Sequence, residues 1–175
     1  LKPAGTGHPI AWHQDSWYFT NTYETGDGAP IEYASIGTWL AIDDARVDNG
    51  CLWVIPKSHK QGVIDHEDAG ITEALPVKRQ AVVAEEMEKH AVPVEVSKGT
   101  LVFFNNALLH CSTPDQSSDF RRAYIVHYMK STIRHTGSGT AGHRQKILDL
   151  GWGTPEAYIC GRQILGCVQT TAEKE

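Results

Sequence analysis

Short apolar runs, each closed within a few residues by turn chemistry, set the rhythm of this chain and restrict it to a small group of mainly-β folds. Ala34-Ser-Ile-Gly-Thr-Trp-Leu-Ala-Ile42 is rich in strand formers and stops at Asp43-Asp44. Val47-Asp-Asn-Gly50 follows, and Asn49-Gly50 is a strong tight-turn signal because both residues tolerate positive φ. Cys51-Leu-Trp-Val-Ile55 reads as the next strand, ended by Pro56. Residues 57–90 are polar, with an acidic, helix-compatible stretch near 84–90, and read as a long surface excursion. Residues 92–97 alternate, Lys98-Gly99 turns, and 100–104 read as a short buried strand. Residues 108–112 and 121–129 are further strand patterns on either side of a polar loop. Residues 134–142 read as loop, 143–150 and 154–163 as short helices, and 170–175 as a frayed tail. The pattern predicts a jelly roll or related barrel with few helices.

Composition narrows the class further. At 175 residues, with 41% hydrophobic and 21% charged residues, one folded domain over 1–175 is expected. A net charge of −5 and the lack of a Lys/Arg run speak against nucleic acid or an anionic membrane as partner. A small-molecule substrate fits better. No segment is long and apolar enough to span a bilayer, and the start lacks a signal-peptide pattern. Cys51, Cys111, Cys160 and Cys167 form no Cys-x-x-Cys pair, which favours reduced thiols and a cytoplasmic setting. The chain opens on Leu1 with a functional pattern a dozen residues in, as expected of a sequence truncated at its N-terminus.

The chemistry lies in four side chains: His13 and Asp15 in Trp12-His-Gln-Asp15, His110 in Leu108-Leu-His-Cys-Ser112, and Arg121 eleven residues later. Two histidines and one carboxylate occupy one face of a divalent iron and leave the opposite face open. In a strand, His13 and Asp15 point to one side and Gln14 to the other; likewise Ser112 shares the face of His110, and Cys111 does not. Arginine adds a planar cationic fork suited to a carboxylate. Arg121 and Arg122 are adjacent, so only one can face inward. His66-Glu-Asp68 repeats the His-x-Asp pattern, but in the polar excursion, where a solvated loop is its expected setting. His13 and Asp15 instead lie among Trp12, Trp17, Tyr18 and Phe19, an aromatic setting suited to a dry metal cavity.

Several blocks together resemble one family. Trp12-His-Gln-Asp15, Asp48-Asn-Gly-Cys-Leu-Trp-Val-Ile-Pro-Lys-Ser-His-Lys60, Lys98-Gly-Thr-Leu-Val-Phe-Phe104, Leu109-His-Cys-Ser-Thr-Pro114 and Phe120-Arg-Arg122 are similar, in the same order, to the phytanoyl-CoA dioxygenase family. The likeness runs over residues 1–130, the expected core, and leaves 131–175 as an extension. It implies a double-stranded β-helix, a cupin-like jelly roll with a few short helices. It also implies a non-haem Fe(II)- and 2-oxoglutarate-dependent dioxygenase that uses O2 to hydroxylate an unactivated C–H bond, releasing succinate and CO2. By the same resemblance His13, Asp15 and His110 hold the iron, and Arg121 rather than Arg122 binds the distal carboxylate of 2-oxoglutarate. Ser112 supports it, and Trp39 either lines that pocket or packs.

Two departures accompany the likeness. Members usually carry a further N-terminal region, and Lys57 stands where a glycine is common before Ser58-His59. Related halogenases replace the carboxylate by a small residue, so Asp15 favours hydroxylation. Tyr18, Tyr23, Trp53 and Asn105 are candidate wall residues. Rival readings are a cupin-type metal-binding protein or isomerase without 2-oxoglutarate, and an inactive homologue. Gly137-Ser-Gly-Thr-Ala-Gly142 formally fits a dinucleotide motif, but only 33 residues follow it, without a second convincing strand for the βαβ unit that such a site needs, and it reads as loop.

Overall fold

A computed structural model describes residues 1–20, 23–69, 79–130 and 133–135. Among these residues, eleven short strands and two short α-helices run in the order β1 (Ile10–His13), α1 (Asp15–Thr20), β2 (Tyr23–Thr25), β3 (Ser35–Ala41), β4 (Leu52–Val54), β5 (His66–Asp68), β6 (Arg79–Ala81), α2 (Glu85–Glu88), β7 (Val92–Val94), β8 (Leu101–Asn105), β9 (His110–Ser112), β10 (Ala123–Met129) and β11 (Ile133–His135). Two sheets dominate: a four-stranded one in the order β1-β9-β4-β7 and a three-stranded one in the order β10-β3-β8. Two strand pairs, β11-β2 and β5-β6, flank them. Every pairing is antiparallel, and the whole is mainly β with short helices.

The main core contains Trp39, Ala41 and Phe104 from the three-stranded sheet and Leu52 from the four-stranded one, with Ala45 and Cys51 between them. Trp53, Val94, Val102, Leu108 and Ala123 pack against it. A second cluster of Ile55, Ala81 and Leu109, with Trp12, Ile64 and Met87, joins the β5-β6 pair and α2 to the sheet carrying β1. Burial of these side chains is what fixes strand register, since a slip of one residue would turn each set outward.

The sequence reading needs five corrections. The Asn49-Gly50 turn forms, with Gly50 at φ +77 and the Asn49 carboxamide accepting from the Arg46 amide at 2.8 Å and donating to Asp44 O at 2.8 Å. It does not make a hairpin, because β3 pairs with β10 and β8 while β4 pairs with β9 and β7; the turn carries the chain from one sheet to the other. Residues 100–104 are not a buried run: β8 alternates, with Phe104 inward and Leu101 and Phe103 exposed. The alternating stretch 92–97 is a strand only over β7, with Val96 in a single bridge to Ala45. His66–Asp68 is a paired strand, not a loop. Part of the expected 134–142 loop is β11, which pairs with β2; the rest, the 137–142 glycine motif and both C-terminal helices lie outside the described residues. The acidic stretch does contain a helix, α2. Among the described residues no helix is long and apolar enough to cross a membrane.

Candidate metal centre

β1 and β9 bring two histidines face to face. Ile10 pairs with Ser112 and His13 with His110, so Ala11 and Trp12 stand opposite Cys111 alone, a β-bulge at the edge of the sheet. The two imidazole rings have centroids 4.1 Å apart.

Asp15 reaches the same point by a route other than the one expected. β1 ends at His13, and Asp15 is the first residue of α1, so the pair does not share a strand. The reason is Gln14, which is not turned away to solvent but completely buried. Its Nε2 donates to Gly62 O at 2.9 Å and Ala107 O at 2.5 Å, and its Oε1 accepts from the Ile64 amide at 2.8 Å. Three backbone groups thus capture this side chain. The chain turns there, Gln14 O accepting from the Trp17 amide at 3.0 Å as the helix begins.

The ligand atoms of His13, Asp15 and His110 all lie within 4.8 Å of one another. His13 Nε2 is 3.7 Å from Asp15 Oδ1, and His110 Nε2 is 3.6 Å from Asp15 Oδ2. Each ring donates Nδ1–H to the carbonyl two residues before it, Ala11 O at 2.8 Å and Leu108 O at 2.9 Å. Those bonds fix the tautomer and leave both Nε2 lone pairs facing Asp15. Burial pushes His13 down to about 4, aided by neighbouring His110 and opposed by Asp15; burial does the same to His110. Both rings are therefore neutral near pH 7, and their contacts with Asp15 are not ion pairs. Burial raises the Asp15 carboxyl above the usual carboxylate range, against the pull of His13 and His127. Asp15 Oδ2 is buried with no hydrogen-bond partner. Two basic imidazole nitrogens and an orphaned carboxylate oxygen around one point are a donor set that a divalent transition metal satisfies.

Arg121 and Arg122 separate as strand alternation requires. Arg122 is exposed and pairs with Asp43 at 2.7 Å. Arg121 is 5% exposed, donates Nη2–H to Gly50 O at 2.9 Å and lies over the Trp39 ring, 5.4 Å from its centroid. Its Nε has no partner, and neither does the buried Oγ of Ser112, which follows His110 on the inward face of β9. Trp39 is itself buried and packs in the main core. Among the suggested wall residues, Tyr23 is buried in a core cluster with Ala34 and Ile133, and Asn105 Oδ1 accepts from the Ala107 amide at 2.7 Å. Trp53 lies on β4 opposite Cys111, and Tyr18 is exposed on α1.

Comparisons with known proteins identify a family for the chain. The family model for phytanoyl-CoA dioxygenase matches residues 1–123. This chain belongs to the phytanoyl-CoA dioxygenase family. Phytanoyl-CoA dioxygenase of Arabidopsis thaliana is 32% identical over 135 residues, covering 75% of this chain and 42% of the relative. Phytanoyl-CoA dioxygenase domain-containing protein 1 of Danio rerio is 30% identical over 132 residues, covering 75% and 43%. The chain thus spans about two fifths of the length of these curated relatives. Among solved structures, EvdO2 from Micromonospora carbonacea var. aurantiaca complexed with 2-oxoglutarate shares the fold, with TM-score 0.63 and 23% identity over 78% of this chain and 51% of that one.

Sequence reasoning overlooked two participants. Alternation sets Gln14 on the face opposite His13 and Asp15 but gives no sign that its side chain, just past the end of β1, is buried among backbone partners. His127 lies on β10 in step with Arg121, and its Nδ1 is 3.8 Å from Asp15 Oδ2. With Arg121 facing inward, the same alternation turns His127 inward six residues on.

Proposed function

We propose that the protein is a non-haem Fe(II)- and 2-oxoglutarate-dependent dioxygenase that hydroxylates an unactivated C–H bond of a small organic or acyl substrate. The observation that carries this reading is the convergence of the free Nε2 atoms of His13 and His110 with the Asp15 carboxylate, in a chain that buries Arg121 with its Nε unpartnered. In this reading His13, Asp15 and His110 hold the iron. Bound there, iron with 2-oxoglutarate and O2 supplies the oxidising power for hydroxylation, with succinate and CO2 as co-products. Arg121 binds the distal carboxylate of 2-oxoglutarate through its free N–H groups, and Ser112 Oγ donates to the same carboxylate. Trp39 holds the guanidinium flat and so sets its direction. The two larger sheets are read as parts of a double-stranded β-helix that encloses the site. Two free thiols, Cys51 and Cys111, accord with a cytoplasmic setting.

The test is iron-dependent conversion of 2-oxoglutarate to succinate under O2 by the full protein, lost in His110→Ala. Zinc-supported activity indifferent to 2-oxoglutarate would overturn the reading in favour of a cupin-type isomerase.

A further inference from the structure

Next to the three proposed ligands, a linked set of side chains runs up to Asp15 Oδ2, a buried carboxylate oxygen with no hydrogen-bond partner. Asn106, at the end of β8, is completely buried. Its Nδ2 donates to Ser35 Oγ at 2.9 Å, and Oδ1 points the other way. Oδ1 lies 3.3 Å from His127 Nδ1, and because an amide oxygen can only accept, His127 carries its proton on Nδ1. The same Nδ1 lies 3.8 Å from Asp15 Oδ2. The ring is braced on its other side by Phe19, whose centroid is 6.0 Å away at 72°.

The backbone makes room for this arrangement. Gly37 on β3 stands directly opposite His127 on β10 and Phe104 on β8. A Cβ at Gly37 would come within 2.7 Å of both Asn106 Oδ1 and the Phe104 ring. The absence of a side chain at this position therefore lets the Asn106 oxygen sit beneath His127. Asn106 also fixes Asp15 from the other side, since its carbonyl accepts from the Ser16 amide at 2.9 Å. One residue thus anchors both the start of α1 and the histidine that faces the carboxylate.

We propose that His127 is a positioning residue for Asp15: held by Asn106 over Gly37, its Nδ1 edge stands 3.8 Å from Asp15 Oδ2 and limits the direction in which the carboxylate is presented to a metal. It is not one of the ligands, whose atoms converge without it. Partners of this kind, which orient a ligand rather than bind the metal, commonly contribute 10–100-fold in metal affinity. The inference rests on the metal-centre reading above.

Titration of the chain with Co(II), followed by its visible absorption, separates the two. His127→Leu removes the donor while keeping an apolar filler; His127→Asn restores an N–H near the position of Nδ1. Leu is expected to weaken Co(II) binding about 10–100-fold and to alter the absorption bands, whereas Asn recovers most of the affinity and the wild-type spectrum. The melting temperature of the metal-free chain should be similar in both variants. Gly37→Ala, by displacing the Asn106 oxygen, is expected to shift the spectrum in the direction of the Leu variant. If Leu binds Co(II) as wild type does, or if Asn and Leu lose affinity equally, His127 only fills space and the proposal fails while the metal centre stands. If the wild-type chain does not bind Co(II), both readings fall together.

Discussion

His13-Gln14-Asp15 and His66-Glu67-Asp68 carry the same pattern, lie against each other, and have opposite fates. His13, His66 and His110 each donate Nδ1–H to the carbonyl two residues back. At His13 and His110 that leaves Nε2 free. At His66 the Nε2 already accepts the Gln14 amide at 3.2 Å, and its ring stacks on Trp17 with centroids 5.0 Å apart. Their carboxylates differ as well. Asp15 opens a helix that bends back over the histidines, while Asp68 continues a regular strand and is exposed. A His-x-Asp pattern becomes a ligand pair where the strand stops between its members and where the second imidazole nitrogen has no other occupation.

Breaking each copy in turn gives the largest contrast. Asp15→Ala is expected to abolish 2-oxoglutarate turnover and to lower Co(II) affinity by more than about 100-fold, since a lost ligand weighs more than a lost orienting partner. Asp68→Ala should leave both unchanged. Equal losses in the two variants, measured by succinate release and Co(II) titration, would reassign the site to include the β5 copy.

The link between the copies is the next target. Gln14→Ala leaves Gly62 O, Ala107 O and the Ile64 amide without their partner, and each unsatisfied buried group costs about 1–3 kcal/mol. A loss of roughly 3 kcal/mol or more in unfolding free energy is expected, read from urea denaturation, together with weakened metal binding. A variant as stable as wild type would show that water replaces the carboxamide at little cost.

Adjacent arginines repeat the contrast on a smaller scale. Arg121→Ala is expected to raise the KM for 2-oxoglutarate about 100-fold, because a charged buried hydrogen-bonding partner contributes roughly 1.5–3 kcal/mol. Arg122→Ala removes an exposed pair with Asp43 and should leave that KM unchanged. Steady-state kinetics in 2-oxoglutarate at saturating substrate decides between them.

What could be read from the residues follows a consistent physical line. Alternation allowed only one of Arg121 and Arg122 to face inward, and Arg121, bridged to Lys2 just before β10, is the buried one. It failed at Gln14, where one buried carboxamide ends the strand, and at the Asn49-Gly50 turn, where local chemistry fixes the bend but not which sheet receives the next strand. It assigned His66 to a loop because the excursion is polar, although its partner strand, β6, comes from more than ten residues downstream. Residue types and spacing suggested the ligand set, and the family resemblance selected His13 and Asp15 over His66 and Asp68. The bulge in β1 and the Gly37 cavity depend on contacts between distant segments, which no local pattern carries.

The smallest predicted effect concerns the connection that delivers the second copy beside the first. Lys57 is the only non-glycine residue at positive φ among the described residues, at φ +67 and ψ 0. This is the position where the family resemblance places a glycine, and the left-handed backbone explains that preference: a Cβ there costs about 1 kcal/mol. The turn that follows is tied to the site on both sides. Ser58 Oγ accepts from the Leu109 amide at 2.9 Å, one residue before His110, and Gly62 O accepts from Gln14. Lys57→Gly should therefore raise stability by roughly 1 kcal/mol, or about 2–4 °C in Tm, with no change in metal affinity or kcat. If Tm falls instead, the lysine side chain contributes more through its surroundings than its backbone costs. If Tm rises and Co(II) affinity rises with it, relief at this turn reaches the histidines through Ser58 and Gln14, and the two His-x-Asp copies are mechanically joined through the turn as well as adjacent.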